Sequence, residues 1–425
     1  MLSAANAADS LMLTRLSQDA LSAVSLANQT SFVYNMVILA VTSGLGIFAS
    51  QYWGKGDRDS VEKIFAYVFR IAAVLCILSG LAALIIPRFL MRIFTNDELL
   101  VEEGVIYLQF VSPMYFITGI SQIFLCILKN SGKTLYGTAV SSLGVIINVL
   151  FNALLIYGIG FFPRLEIRGA AIATDISKFC ELILYIIMFC RKDSIKLRLK
   201  YVLGGKLDFK AEYWKVSLPF LLNQLIWGAG FTMYSVILGH MGSDAVAANS
   251  MANVVRNLVT CFSSGIASGT GIMLGNEMGR GNLSLAKHYG KKLYRIALYT
   301  GIIMALVIMA LSPLVLEINA KTFSDTSLYY LKWMLLVAAV TLIGKSCNMC
   351  TNNGIFPSGG DTKFSMYMDL VSMWVICIPL GLLSAFVFHA PVLVVFVLIN
   401  LDEIVKLPLI FIHFRKYGWI KNLTR

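Results

Sequence analysis

The residues with chemical potential in this sequence are ionisable side chains set into long apolar runs. Asp175, Lys178 and Glu181 follow one another at i, i+3 and i+6, a spacing that lets neighbours meet on one helix face. Such a ladder can neutralise itself and simply pack. Its two carboxylates and one ammonium also leave one acid without a cation, and a desolvated acid can carry a proton. Both readings stay open for this trio. Asp402, Glu403 and Lys406 repeat the theme near one end of an apolar run, where they read as side chains reaching the aqueous boundary along their own stems. Arg256 and Lys345 are single cations, with Asp369 a candidate partner for either. They read as structural pins or as a subsite for an anionic or zwitterionic ligand. Trp227, Phe231, Tyr34, Tyr115, Met114 and Met233 are candidates for a soft, polarizable lining.

Other chemistries lack their residues. Cys347 and Cys350 form a lone CxxC in an apolar run, with no second pair and no neighbouring histidines, so the eight cysteines read as packing residues. The four histidines are scattered, and no HExxH, phosphate-binding loop or nucleophile elbow is present. The expectation is a protein that is not an enzyme and carries no cofactor or metal. Work against a gradient would then draw on an ion gradient, in which one charge crossing 100 mV supplies about 2.3 kcal/mol. A tenfold gradient of a neutral solute costs about 1.4 kcal/mol.

The elements that must position these residues follow from composition. Of the 425 residues, 58% are hydrophobic and 14% charged, against about 25% charged in an ordinary soluble domain. Several runs of about 20 residues or more, among them 20–54, 104–128, 134–163, 216–243 and 296–316, contain no charge, which is the length of a membrane-spanning helix. They are too long, and alternate too little, for barrel strands. About eleven complete spans result, the last over 391–414. The formal charge of +12 is spread over short loops, which speaks against nucleic acid and for topology. Most Lys and Arg fall in alternate loops, including 191–215, 280–295 and the tail after Phe414, which predicts a cytoplasmic C-terminus.

An internal repeat organises the chain. Residues 11–70 lie without a gap over 236–295 at an offset of 225, pairing Asp19 with Asp244, Asn28 with Asn253, Ser43-Gly44 with Ser268-Gly269 and Gly54-x-Gly56 with Gly279-x-Gly281. A weaker match sets 127–134 over 355–362. An even number of spans between the copies makes both cross in the same sense, so the axis relating them runs along the membrane normal. The expected architecture is all-α and polytopic. It comprises an N-terminal lobe over 1–193, a basic cytoplasmic linker over 194–213 and a C-terminal lobe over 214–425, each lobe built on six helices. The first helix keeps only residues 1–13 against the full copy at 216–238. Either translation starts upstream or the protein is shortened.

These residues resemble the multidrug and toxic compound extrusion (MATE) family along the whole chain. The resemblance rests on Asp9-Ser-Leu-Met, Gln18-Asp19-Ala20-Leu21-Ser22-Ala23, Gln51-Tyr52-Trp53-Gly54-Lys55-Gly56, Asn148 with Asn152, Gly169 through Thr174, and Gly275-Asn276-Glu277-Met278-Gly279. It implies twelve helices in two lobes, a central cavity open alternately to each side, and export of cationic or amphiphilic small molecules against a proton or sodium gradient. By the same resemblance Asp9 matches an acidic coupling residue of the first helix, Asn148 and Asn152 match a fifth-helix pair that often includes an Asp, and Thr174 matches a polar lining position. Acidic ligands found on the seventh and tenth helices of some members have no counterpart here, where the tenth carries Lys345.

The expectation is therefore a multi-pass transporter of a bacterial cytoplasmic membrane, acting as a monomer on a small molecule and a coupling cation. Its candidate site residues are Asp9, Asn148, Asn152, Thr174, Asp175, Lys178, Glu181, Trp227, Arg256 and Lys345. The alternatives are a flippase-like exporter of a lipid-linked or anionic substrate and a truncated, non-transporting homologue.

Overall fold

A computed structural model describes residues 18–95, 97–159, 162–190, 195–204, 209–320 and 323–424; Asp9 lies outside them. These residues are helical, with no strand among them. In chain order the helices are α1 Gln18–Lys55, α2 Arg58–Ile85, α3 Pro87–Arg92, α4 Glu98–Asn130, α5 Thr134–Tyr157, α6 Glu166–Phe189, α7 Leu199–Gly204, α8 Lys210–Gly239, α9 Ser243–Gly279 and α10 Leu283–Asn319. They continue with α11 Asp325–Ser358, α12 Thr362–Val387, α13 Val392–Ile399 and α14 Asp402–Lys416.

Among the described residues nine helices are long and apolar enough to cross a membrane. Two expected spans depart from that description for physical reasons: α6 carries the Asp175, Lys178 and Glu181 charges, and the run over 391–414 is broken between α13 and α14. Outward faces are apolar. On α10, Ile303, Leu306 and Leu314 are each more than half exposed, a stripe that water would not tolerate and lipid accepts.

The helices group into two compact units, one of Met1–Ala49 with Asp57–Lys210 and one of Ser50–Gly56 with Ala211–Arg425. In the first, α2 packs on α4, and α5 and α4 pack on α6. In the second, α10 and α9 pack on α11, and α14 also lies against α11. The repeat is visible in the helix boundaries: α2 begins at Arg58 after Asp57, and α10 begins at Leu283 after Asn282, positions separated by the same 225 residues. The stretch read as the linker, over 194–213, is partly helical among the described residues. It contains α7, and Lys210–Tyr213 already belongs to α8. Arg198 Nε pairs with Glu62 Oε2 at 2.5 Å, and the Tyr201 hydroxyl donates to Asp59 Oδ1 at 2.6 Å.

Ser50–Gly56, the end of α1 and the turn after it, belongs to the second unit because glycines let it touch α9 backbone to backbone. A Cβ on Gly54 would collide with the Asn276 carbonyl, one on Gly279 with the Gln51 carbonyl, and one on Gly275 with the Ser50 side chain. At the repeat offset, Gln51 corresponds to Asn276, Gly54 to Gly279 and Ser50 to Gly275. The contact is thus reciprocal, each copy's glycine receiving the other's carbonyl, which is the small-residue packing expected of membrane helices. Gln51 then fixes the chain end: its Nε2 donates to the Ser358 and Lys421 carbonyls at 2.6 and 3.0 Å, and its Oε1 accepts from the Leu423 N–H at 2.6 Å.

Gly279→Ala should destabilise the protein by about 1–3 kcal/mol, the usual cost of forcing a methyl into packed space, because a main-chain carbonyl cannot swing aside. Gly271→Ala, whose added Cβ would meet nothing closer than 3.6 Å, should leave the thermal midpoint of the detergent-solubilised protein unchanged or slightly raised. Equal midpoints for both variants would contradict the close-contact reading.

Candidate functional site

In the first unit the polar residues gather between α5 and α6. Gly144 on α5 leaves the space into which Glu181 of α6 projects, with the glutamate side chain about 3.6 Å from where a Cβ would stand. Glu181 Oε1 accepts from the Ser141 hydroxyl at 3.0 Å and the Tyr185 hydroxyl at 3.2 Å, while Lys178 Nζ donates to Oε2 at 2.9 Å. Lys178 therefore chooses Glu181 over Asp175, since only Glu181 finds further donors on α5 and on its own helix. Asp175 stands apart, with its buried Oδ1 lacking any hydrogen-bond partner.

One turn away, Asn152 Nδ2 donates to Asn148 Oδ1 at 3.2 Å, Asn148 Nδ2 to Thr174 Oγ1 at 3.3 Å, and Thr174 Oγ1 to the Ala170 carbonyl at 3.0 Å. The three residues form one directed chain without a charge. Tyr34 and Tyr115 are core residues: the Tyr34 hydroxyl donates to the Tyr115 carbonyl at 2.5 Å, and the rings meet edge to face at 5.0 Å.

The second unit holds a larger charged network. Lys406 on α14 pairs with Asp369 of α12 at 3.1 Å, Glu403 at 3.3 Å and Asp402 at 3.5 Å, and its side chain is only 4% exposed. The helices reach one another through local devices in the sequence. Gly344 admits the Glu403 backbone, its absent Cβ being 2.9 Å from the Glu403 carbonyl oxygen. One turn on, Asn348 Nδ2 donates at 2.8 Å to both the Glu403 carbonyl and its Oε2. α12 changes to wider π-type turns from Leu370, immediately after Asp369, and α11 does so over Thr351–Ile355. Such bulges aim side chains that a regular helix would place elsewhere.

Two expectations are corrected here. Asp402, Glu403 and Lys406 do not reach for the boundary; they are buried, because the chain breaks at Asn400 and Leu401 and starts α14 within the unit. Asp369 partners neither Arg256 nor Lys345, because Lys406 holds it.

Arg256 and Lys345 make no direct ion pair among the described residues, although Asp402 and Glu403 stand near both. Arg256 is 9% exposed; its two terminal nitrogens donate to Asn400 Oδ1 at 2.9 Å and Asn253 Oδ1 at 2.5 Å, and Nε is buried without a partner. Its guanidinium lies 5.4 Å from the Phe231 ring. Lys345 Nζ lies 5.8 Å from the Trp227 ring and, among the described residues, makes neither a hydrogen bond nor an ion pair. A cation over an aromatic face recovers roughly 0.5–2 kcal/mol, well short of the several kcal/mol that burying an ion costs. Both cations, with Trp227, Phe231, Asn400, Asp402 and Glu403, line one small cavity of about 20 Å³, room for about one water molecule.

Sequence reasoning gave Asp369 the wrong partner and missed Asn348, Asn400 and the burial of the Lys406 group. The signal was present in the second repeat match. Its offset of 228, carried forward, sets Asp175 on Glu403, Lys178 on Lys406 and Ser141 on Asp369. In both units the lysine lies within reach of the same two helices, and the acid it selects differs.

Known proteins agree with this architecture. The MatE family pattern matches residues 1–154 and 219–383. The chain is similar to the uncharacterized transporter YisQ of Bacillus subtilis, with 26% identity over 430 residues covering 98% of this chain and 90% of that one. It is similar to the probable multidrug resistance protein NorM of Thermotoga maritima, with 23% identity over 98% of this chain and 90% of the relative. An FAD transporter of Shewanella oneidensis is 24% identical over 66% of this chain and 62% of its own length. A crystal structure of MATE in the bent conformation superposes with a TM-score of 0.87 at 19% identity, covering 99% of this chain and 92% of that one. With its helices, its two units and the larger part of its length matched, this chain belongs to the MatE family of multi-pass membrane transporters.

Proposed function

We propose that the protein exports small amphiphilic organic molecules from a bacterial cell by antiport with a cation, a proton or sodium, entering down its gradient. The relatives named as multidrug resistance proteins support the substrate class. The observation that carries the coupling is Asp175, an acid inside the bundle whose Oδ1 has no partner while the neighbouring Lys178 is committed to Glu181. An acid so placed can take up a proton or a metal cation at one stage of the cycle and give it up at another, and ionisable groups at membrane depth are retained for such tasks. Asn148, Asn152 and Thr174 supply neutral polar atoms beside it.

In this reading the protein works as a monomer in the cytoplasmic membrane, with its C-terminus inside, as the distribution of Lys and Arg suggests. A second reading, export of an anionic compound, is favoured by Arg256 and Lys345, and a relative named as an FAD transporter shows the kind of charged cargo it would involve.

In vesicles bearing the full-length protein, with proton and sodium gradients imposed separately, ethidium export should follow one gradient. Asp175→Asn and Glu181→Gln should each slow it at least about tenfold, or about 1.4 kcal/mol. Wild-type rates in both variants would remove α6 from the mechanism. A C-terminal tag should be digested by protease in inverted vesicles and protected in right-side-out ones; the reverse would overturn the orientation.

A further inference from the structure

We propose that the adjoining ends of α10 and α14 form a binding site for an anionic phospholipid, its phosphate held by Lys291, Lys292, Arg295 and Arg415 and its chains lying along the apolar face of α10. The inference goes beyond the export reading and rests on other residues, all within the second unit.

The first support is charge without a local counterion. Lys287, Lys291, Lys292 and Arg295 on α10, with Arg415 and Lys416 on α14, are all exposed. The chain has no Asp or Glu from Met278 to Leu316 and none after Glu403, and none of these six cations makes an ion pair among the described residues. Two neighbouring acids are already engaged, Glu277 by Arg280 and Asp361 by His413. Setting the orientation of a span asks only for charges somewhere in a loop, whereas the four on α10 stand on successive turns inside a helix. Such a cluster calls for an anion from outside the protein.

The second support is where the cluster lies. Lys292, Arg295, Tyr299, Ile303 and Leu306 recur at steps of three and four residues and so share one helix face. That face turns away from the protein: Tyr299 is 62% exposed, Ile303 54% and Leu306 60%, while Ala286, Gly290, Ala297 and Gly301 on the opposite side are buried. The cations therefore continue directly into a stripe that lipid covers, with a tyrosine at the junction, where interfacial aromatics sit. A soluble anion would meet the charge alone; a phospholipid matches charge and stripe together.

The third support is that aromatic rings join the two helices at this level and order the cations. Tyr294 of α10 stacks on Phe414 of α14 at 5.2 Å and meets Phe411 at 6.0 Å, which sets the Arg295 turn beside the last turn of α14. Arg415 lies over the Phe411 ring at 5.1 Å, and Lys287 and Lys291 lie over that of Tyr417 at 4.0 and 5.5 Å. Contacts with ring faces steady these charges yet leave their N–H groups free to donate to phosphate oxygens. A guanidinium can do so with two parallel hydrogen bonds, and basic pockets between membrane helices suit anionic headgroups.

The test is native mass spectrometry of the full-length protein in detergent, equilibrated with equal amounts of phosphatidylglycerol and phosphatidylcholine carrying identical chains. The first lipid retained should be phosphatidylglycerol, by about tenfold or more. Lys292→Gln combined with Arg295→Gln should cut that preference at least about fivefold, and Lys292→Arg should keep it. Lys129→Gln combined with Lys133→Gln, which removes the same charge from the first unit, should leave the preference within about twofold. Equal retention of the two lipids by the wild-type protein would overturn the proposal without any variant. An equal loss in both double variants would overturn it too, since the attraction would then follow total charge and not this site. Glycerol 3-phosphate, a headgroup without chains, should fail to displace the lipid at about a hundredfold excess; displacement would assign the cluster to a soluble anion.

Discussion

An ion inside a helix bundle at membrane depth has no water to fall back on, and its burial costs several kcal/mol unless an opposite charge and hydrogen bonds meet it there. The second unit obeys this constraint around Lys406, which holds three acids at once, two of them on its own helix and one on α12. Most of the irregular features of that unit serve the arrangement. The chain breaks between α13 and α14 so that Asp402 and Glu403 start a helix inside the protein, the π turns after Asp369 set where α12 points, and Gly344 lets the Glu403 backbone close on α11. Broken helices and widened turns at such depth are sustainable only where protein covers them.

The same constraint gives the two units different characters. In the first, Lys178 and Glu181 neutralise one another with help from Ser141 and Tyr185, and Asp175 is the group left over. In the second, Lys406 makes the direct ion pairs with all three acids, and Arg256 and Lys345 stand near Asp402 and Glu403 without a direct pair among the described residues. The equivalent acids, Asp175 and Glu403, have thus met different fates in the two copies, one without a cation and one held by a lysine.

Much of the architecture could be read from residue order alone. Charge-free runs, the 225-residue repeat and its glycines mark helices that the structure contains, and the glycine pairs Gly54 with Gly279 recur as a reciprocal backbone contact. Charge partners were harder to read, because periodicity fixes which face a side chain occupies and leaves open which of several neighbours it selects. Asp175 and Glu181 are each three residues from Lys178, and only the donors on α5 decide between them. The Lys406 group was misplaced because nothing at Asn400 and Leu401, neither Pro nor Gly, announces a helix break. Asp369 was matched to Arg256 or Lys345 and not to Lys406, because its partner lies on another helix 37 residues away.

The account rests most heavily on buried ions holding one another in place, and a double-mutant cycle of thermal or denaturant stability on Lys406 and Asp369 measures that directly. Lys406→Met strands three acids and should cost about 3–5 kcal/mol, while Lys406→Met combined with Asp369→Leu should be less destabilising than Lys406→Met alone. Purely additive losses from the two substitutions would mean that the pair is not coupled, and the charge network would lose its standing as the organising feature of the second unit.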